Sequence, residues 1–132
     1  TTIVDLDTVM PGLVLYDFGD LIRTMTCPED EDERDLSRIS MQMSLFKSIA
    51  AGYLSTARGF LTKCEKEHMV FSGKLITFET GLRFLSDYLD GDNYFRIHRP
   101  DQNLDRCRRQ FKLVESIEEQ EEEMTKFVNS NA

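Results

Sequence analysis

Two aspartates near the start of the sequence have a spacing that suits metal binding. Asp5 and Asp7 lie in the run TIVDLD, and residues 2–6 have the β-branched character of a short strand. Side chains two residues apart on a strand point to the same face, so the two carboxylates are expected side by side. Mg²⁺ prefers oxygen ligands, which makes Asp5 and Asp7 candidate metal ligands. The alternative is a strand end that simply faces solvent.

A second polar group lies within the most apolar stretch of the chain. Glu79, Arg83 and Asp87 are spaced four residues apart, which places them in one stripe along a helix. Arg83 carries several donors in a fixed plane, which suits the hydroxyl groups of a sugar bound in a cleft. Tyr94, in the run DGDNYF, is a second substrate-binding candidate because sugar sites commonly pair an aromatic face with polar groups. The alternatives are a surface ridge of ion pairs for the stripe and ordinary loop packing for Tyr94.

The run DFG at residues 17–19 matches the magnesium motif of protein kinases. Two observations argue against that interpretation: Asp17 precedes a helical pattern, and no APE sequence follows. Acidic residues at the start of a helix cap it or interact favourably with its dipole. Asp17 and Asp20 are therefore predicted to be structural.

The hydrophobic pattern predicts one strand followed by four helices, and hence a mainly α domain. Apolar spacings of three and four residues, and a capping box at Thr62 and Glu65, support the helices. Residues 69–89 are apolar on nearly every side, so this helix is expected at the centre of the domain. The other predicted elements are a strand over 2–6, a short helix begun near Asp17, a helix over 36–60, a turn at DGDN (90–93) and a helix over 101–128.

The composition describes an acidic chain of ordinary hydrophobicity. Its 132 residues carry a net charge of -8 and are 40% hydrophobic and 30% charged. No basic stripe is available for nucleic acid or for an anionic membrane surface. The cysteines lack metal-binding spacing and are predicted to be free thiols in a reducing compartment. With no signal peptide and no long apolar run, we expect a soluble, cytoplasmic protein.

The segment IVDLDTVMPGLVLYDFGDLIR resembles the metal-binding segment of the aminoglycoside phosphotransferase and choline kinase-like superfamily. The runs DLDTVMPG, YDFGDLIR, GLRFLSDYLDGDNYF and NLDRCRRQFKL are more narrowly similar to the N-acetylhexosamine 1-kinases of that superfamily. The resemblance covers nearly the whole chain, but only the C-terminal half of such a kinase. It implies that residues 1–132 form one domain, the helical C-terminal subdomain of a protein kinase-like fold with a short N-terminal strand remnant.

The resemblance also implies an activity. Such a kinase transfers the γ-phosphoryl group of ATP to the anomeric hydroxyl of an N-acetylglucosamine- or N-acetylgalactosamine-like sugar, with Mg²⁺ as cofactor. It implies the metal ligand at Asp5. Asp7 is expected either to be a weaker or indirect metal contact or to face solvent. It also implies a structural role for Asp17 and places Arg83 in the segment that lines the sugar pocket.

Two parts of a kinase are not found in the sequence. It contains no H-G-D-x-x-x-x-N catalytic loop and no Gly-rich phosphate loop with its lysine. The catalytic base and the N-terminal lobe are therefore expected upstream of Thr1, and this chain alone is expected to be inactive. The alternative is a non-catalytic acidic helical interaction module, with dimerisation through an exposed N-terminal edge as a further expectation. A mucin sulfatase, a label attached to some relatives, is disfavoured because TCPEDED and DRCRRQ do not match C/S-x-P-x-R.

Overall fold

The protein is built from four α-helices. The computed structural model describes every residue from Thr1 to Ala132. The helices are α1 (Val14–Met25), α2 (Met43–Ala57), α3 (Lys63–Leu89) and α4 (Gln102–Asn131), with a short 3-10 turn at Leu36–Arg38 between α1 and α2. The mainly α architecture predicted from the sequence is confirmed. None of these helices has both the length and the apolar character needed to cross a lipid bilayer.

The strand predicted over residues 2–6 does not form, and the chain has no other strand. Residues 1–13 precede α1 as irregular backbone with exposed side chains. Asp5 takes a positive φ of 61° there, which interrupts an extended run. A strand is stable only when a neighbouring strand pairs with its backbone N–H and C=O groups, and four helices offer none. The prediction was therefore wrong because β propensity alone does not supply a partner.

The sequence predicts the start of α3 correctly but places the start of α1 too late. α1 begins at Val14, ahead of the predicted start near Asp17, and no side chain caps it. Asp17 instead lies in the first turn, where its charge interacts favourably with the helix dipole. The capping box of α3 is confirmed: the Glu65 N–H donates to the Thr62 hydroxyl at 3.2 Å, and the Thr62 N–H donates to the Glu65 carboxylate at 2.7 Å.

The segment before α2 is extended rather than helical. The helix predicted over 36–60 begins only at Met43. Ile39 and Met41 are buried and alternate with exposed neighbours, which is the period of extended backbone. The Met41 N–H donates to the Ser116 hydroxyl at 2.9 Å, so a partner on α4 satisfies a group that a helix would have paired locally. The apolar residues of this segment are therefore buried, but in extended backbone that a contact with α4 stabilises and not on the face of a helix.

The two longest helices, α3 and α4, pack against each other in antiparallel directions. Phe78 of α3 stacks on Phe111 of α4 with ring centroids 5.5 Å apart. Further along α3, Asp87 accepts a hydrogen bond of 2.8 Å from Asn103, which lies near the start of α4. The core also includes residues of α1 and α2. Its fully buried apolar side chains include Phe18, Ile22, Met41, Phe46, Leu54, Met69, Leu113, Ile117, Met124 and Val128.

α1 crosses α3 at a pair of glycines. A Cβ on Gly19 would lie 2.6 Å from the Ser72 carbonyl oxygen, and one on Gly73 would lie 2.6 Å from Ile22 Cδ1. Close-packed interiors leave no room for atoms at such distances, so only hydrogen fits at both positions. The two glycines allow the close approach that fixes where α1 lies on α3.

The prediction that α3 is buried on every side is wrong for one face. Four large apolar side chains on this face are 41–45% exposed: Phe71, Leu75, Phe78 and Leu82. α1 covers one side of α3 and α4 covers another, and the four-helix domain contains no element that covers the third. The apolar sequence of α3 reflects two buried sides and an open apolar side.

We expect Gly19→Ala to lower the free energy of unfolding by about 1–3 kcal/mol, because the added methyl group clashes with backbone at the helix crossing. Gly52→Ala is the matched control, because no atom lies within 4 Å of a Cβ built at that position of α2. Alanine there should stabilise the protein by about 0.5–1 kcal/mol. Urea unfolding followed by circular dichroism measures both. Equal effects of the two substitutions would contradict the proposed role of the glycine crossing.

Candidate functional site

Arg83 lies in a cleft formed by α1, α3 and the loop that follows α3. Its side chain separates two adjoining depressions, one of about 580 Å³ toward the loop and one of about 600 Å³ toward α1. Glu79 and Phe95 line both depressions. Tyr94 lines the first, and Asp20 of α1 lines the second. The structure therefore brings together the two substrate-binding residues predicted from the sequence, Arg83 and Tyr94.

Two aromatic rings lie beside the Arg83 guanidinium. Its Cζ lies 5.4 Å from the ring centroid of Phe95 and 5.9 Å from that of Tyr94, which are cation–π distances. Phe95 packs in turn on Phe84 of α3, with centroids 4.7 Å apart. No hydrogen bond or ion pair to another protein group engages the Arg83 N–H donors. The guanidinium thus lies beside two aromatic rings, and its N–H donors are free to bind a ligand.

Asp87 has a role that the sequence analysis did not assign to it. This carboxylate is 6% exposed and accepts the backbone N–H groups of Tyr94 (2.8 Å) and Phe95 (3.0 Å). It also accepts from the Asn103 side chain at 2.8 Å. Burial raises the pKa of Asp87, but the hydrogen bonds outweigh this and hold the pKa below its usual value. Asp87 therefore anchors the loop so that the two aromatic rings meet Arg83.

The turn predicted at residues 90–93 is confirmed and completes this anchor. Gly91 and Asp92 both have positive φ angles, of 93° and 61°, which glycine and aspartate tolerate better than most residues. The Asp92 N–H donates to the Asp87 carbonyl at 2.8 Å. The Asp92 carboxylate accepts from Asn103 at 3.0 Å, so one side chain of α4 binds both Asp87 in α3 and Asp92 within the turn.

Asp5 and Asp7, the predicted metal ligands, lie on the exposed segment before α1. Their carboxyl groups lie close together even though the strand is absent. The interaction between the two side chains raises the pKa of Asp5 and lowers that of Asp7. Nowhere in the chain do three or more His, Cys, Asp or Glu side chains form a group suited to a metal ion. The two carboxylates match the hard oxygen chemistry of Mg²⁺, and they would fill two of its roughly six positions.

Asp17 and Asp20 make contacts that fit the predicted structural roles. Asp17 accepts a long hydrogen bond of 3.4 Å from the Tyr53 hydroxyl of α2. Asp20 accepts from Arg23 Nε at 2.8 Å within α1. Asp20 also faces the depression beside Arg83, which sequence reasoning missed. No local signal could have revealed this, because it depends on how α1 crosses α3.

The cysteines and histidines lie in other parts of the structure. Cys27, Cys64 and Cys107 are free thiols, as predicted, and only Cys64 is exposed. His68 lies one turn after Cys64, with its Nδ1 2.8 Å from the Cys64 carbonyl oxygen. The backbone N–H of His98 donates to Gln102 at 2.7 Å. None of these side chains lines either depression beside Arg83.

The cleft combines one free cationic donor, carboxylate acceptors and aromatic rings. Arg83 supplies the donors. Glu79 of α3 lines both depressions, and Asp20 of α1, which also accepts from Arg23, lines the second. Such a set suits a neutral ligand with several hydroxyl groups, because hydroxyls both donate and accept. No protein-family model matches the sequence.

We expect the anchored loop to loosen in acid. Because the folded-state pKa of Asp87 is depressed, its carboxylate stabilises the loop above the unfolded-state pKa of about 3.9, and this contribution is lost as the pH falls through the folded value. Hydrogen-exchange protection of the Tyr94 and Phe95 amides, measured by NMR between pH 5 and pH 2, should fall in that window.

Two variants make this acid test specific. Asp87→Asn should show low protection of both amides at every pH, whereas Asp30→Asn, at an exposed aspartate, should behave like the unmodified chain. Full protection of both amides down to pH 2 in the unmodified chain would contradict the anchoring role of Asp87.

Proposed function

We propose that this chain is the helical C-terminal part of an ATP- and Mg²⁺-dependent small-molecule kinase of the aminoglycoside phosphotransferase type. Its cleft would bind the acceptor, an N-acetylhexosamine phosphorylated at the anomeric hydroxyl. The observation that carries the proposal is the Arg83 guanidinium, which makes no hydrogen bond within the protein and lies within cation–π distance of two aromatic rings. The sequence motifs that resemble N-acetylhexosamine 1-kinases supply the reaction class.

The size and chemistry of the cleft support a monosaccharide acceptor. A depression of about 580 Å³ lies within the range of small-molecule sites, roughly 300–1,000 Å³. Tyr94 offers an exposed ring for a sugar face, and Arg83 offers donors for its hydroxyl or acetamido oxygens. Glu79 is exposed beside them and accepts from hydroxyl groups. Orientation of the acceptor is a large part of what a protein contributes to the catalysis of phosphoryl transfer.

The proposed cofactor has candidate ligands in this chain. Asp5 and Asp7 would hold Mg²⁺, which, when bound, neutralises charge on the transferred phosphoryl group. Their adjacency supports this assignment, and their hard oxygen atoms fit the ion. The catalytic base and the ATP-binding elements would come from a segment outside this sequence. The residues of this chain would then bind and orient the acceptor and hold part of the metal shell.

A second candidate function is a non-catalytic helical interaction module. The exposed apolar face of α3 favours it, because contiguous apolar surface of this kind commonly marks a binding site. Dimerisation through the apolar residues ahead of α1 belongs to this alternative, since Ile3, Val4 and Val9 are exposed. The two candidate functions predict different ligands for different faces of the chain.

The proposed acceptor site is tested by sugar binding to the chain itself. We expect N-acetylglucosamine or N-acetylgalactosamine to shift the NMR amide signals around Arg83 and Tyr94, with a millimolar dissociation constant. Arg83→Ala should weaken binding by about tenfold or more, because a hydrogen bond to a charged group contributes about 1.5–3 kcal/mol. Arg58→Ala is the control, since Arg58 is an exposed arginine at the end of α2. Equal affinities of the two variants would contradict the assignment of Arg83.

We expect this chain alone to transfer no phosphoryl group from ATP, because it contains no catalytic-loop pattern. Incubation with ATP, Mg²⁺ and a panel of N-acetylglucosamine, N-acetylgalactosamine, glucose, choline and kanamycin measures this. Sugar phosphate formed by the pure chain would contradict the prediction. In a longer phosphotransferase that contains this chain, Asp5→Ala should abolish turnover while Arg83→Ala mainly raises KM. Turnover that survives Asp5→Ala would remove Asp5 from the metal site.

A further inference from the structure

A small cavity between α1, the segment that follows it and α4 is lined only by polar residues. It has a volume of about 160 Å³ and lies outside the two depressions beside Arg83. Its lining residues are Arg23, Thr24, Glu29, Glu31, Arg109 and Gln110. Buried polar groups need hydrogen-bond partners, so walls of this kind suit water or a ligand that both donates and accepts.

Two of the lining side chains are buried and have unpaired atoms. Gln110 is fully buried, and neither its Oε1 nor its Nε2 atom has a hydrogen-bond partner in the protein. Arg109 is 4% exposed, and its Nε atom has no partner either. Buried side-chain polar atoms are nearly always paired in folded proteins. Three unpaired atoms on two residues of one cavity therefore point to a ligand that bonds with them.

Arg109 favours a negatively charged ligand. Its guanidinium is always ionised, and a buried charge without a counter-ion is costly. Nη2 donates to the backbone carbonyls of Cys27 at 3.4 Å and Glu29 at 3.0 Å, but no carboxylate pairs with the group. The Glu29 carboxylate pairs instead with Arg38 at 2.8 Å. An oxyanion would accept from Arg109 Nε and from Gln110 Nε2, and charge-assisted hydrogen bonds of this kind are strong.

Glu31 restricts which oxyanion fits. Its carboxylate lies 3.6 Å from Arg23 Nη1 and 3.7 Å from Arg106 Nε, which is too long for direct hydrogen bonds, so its oxygen atoms remain able to accept. A fully ionised anion would place its oxygen atoms near this carboxylate with no proton between them, which is repulsive. The ligand should therefore carry a hydroxyl group that donates to Glu31 or to Gln110 Oε1.

We propose that this cavity binds inorganic phosphate, with Arg109 and Gln110 Nε2 donating to its oxygen atoms and Glu31 accepting its P–OH proton. Phosphate keeps a hydroxyl group near neutral pH, whereas sulfate has none and a phosphate monoester loses its last proton with a pKa of about 6. The carboxylate thus selects phosphate from other tetrahedral anions. The proposal does not rest on sugar binding at Arg83, although Glu31 also lines the depression toward α1.

Calorimetric titration of the full chain with three anions, at pH 8 and constant ionic strength, tests the proposal. Sulfate and methyl phosphate are fully ionised at this pH, whereas phosphate retains its P–OH group. We expect phosphate to bind with a dissociation constant of about 1 mM or tighter, and at least about tenfold more tightly than the other two. No phosphate binding at millimolar concentration would show that the cavity holds only water and would overturn the proposal. Equal affinities for the three anions, or tighter binding of methyl phosphate, would also overturn it.

A matched pair of variants tests the role of Glu31. Glu31→Gln should reduce the preference for phosphate over sulfate by about tenfold or more, because the amide does not repel an ionised oxygen and can donate to it. The Glu31 side chain is 48% exposed, so we expect this variant to fold. Glu119→Gln, at an exposed glutamate of α4 outside the cavity, makes the same change in net charge and should leave the preference unaltered. An unchanged preference in Glu31→Gln would overturn the proposal.

Gln110→Leu tests the buried wall of the cavity. Leucine has a similar size and removes the unpaired amide atoms, so the variant should fold, while its affinity for phosphate should fall by about tenfold or more. Phosphate should also raise the thermal unfolding midpoint of the unmodified chain more than that of the variant. Undiminished affinity in a folded Gln110→Leu would overturn the proposal. Arg83→Ala should leave phosphate binding intact and Gln110→Leu should leave sugar binding intact, so failure of this proposal is distinguishable from failure of the sugar site.

Discussion

The close approach of α1 to α3 is the constraint on which the rest of the structure depends. It is possible because Gly19 and Gly73 present no side chain where the two helices cross. A methyl group at either position would push α1 outward and open the core around Phe18 and Ile22, both of which are fully buried. The same crossing brings Asp20 to the cleft that contains Arg83, so a packing requirement also sets the shape of the candidate site.

The other side of the cleft depends on one buried carboxylate. Asp87 replaces the water that the backbone N–H groups of Tyr94 and Phe95 would otherwise bind, and Asn103 joins the loop to α4. A buried charge is tolerated only when hydrogen bonds compensate its desolvation, and here three donors do so. The loop after α3 is thereby held by both long helices, and the rings that support Arg83 are positioned before any ligand arrives.

α3 has a different environment on each of three sides, which explains why apolar residues occur nearly all around it. Its side with Gly73 packs on α1, its side with Gly81 packs on α4, and the apolar residues around Leu75 are partly exposed. Arg83 lies near the C-terminal end of the same helix. The proposed sugar site and the exposed apolar face are thus neighbours on one helix, and Leu82 belongs to both.

Local signals in the sequence determined most of the helices. Apolar spacing, the capping box at Thr62 and the turn at residues 90–93 each involve groups within a few residues of one another, so the chain encodes them without reference to distant partners. The proximity of Arg83 and Tyr94 was also predictable, because a short turn joins the end of α3 to the loop. The metal and sugar assignments rest on the resemblance and on these geometries, and they remain predictions.

Only the tertiary structure decided the remaining features. The strand predicted over 2–6 has no neighbour to pair with, and the backbone at 39–42 is extended because Ser116 of α4 binds it. Asp87 reads as part of a polar stripe in the sequence, yet it is buried because a loop folds over it. The apolar α3 keeps one face open because four helices cover only two of its sides. In each case the deciding group lies far away in the sequence, where periodicity and propensity carry no information.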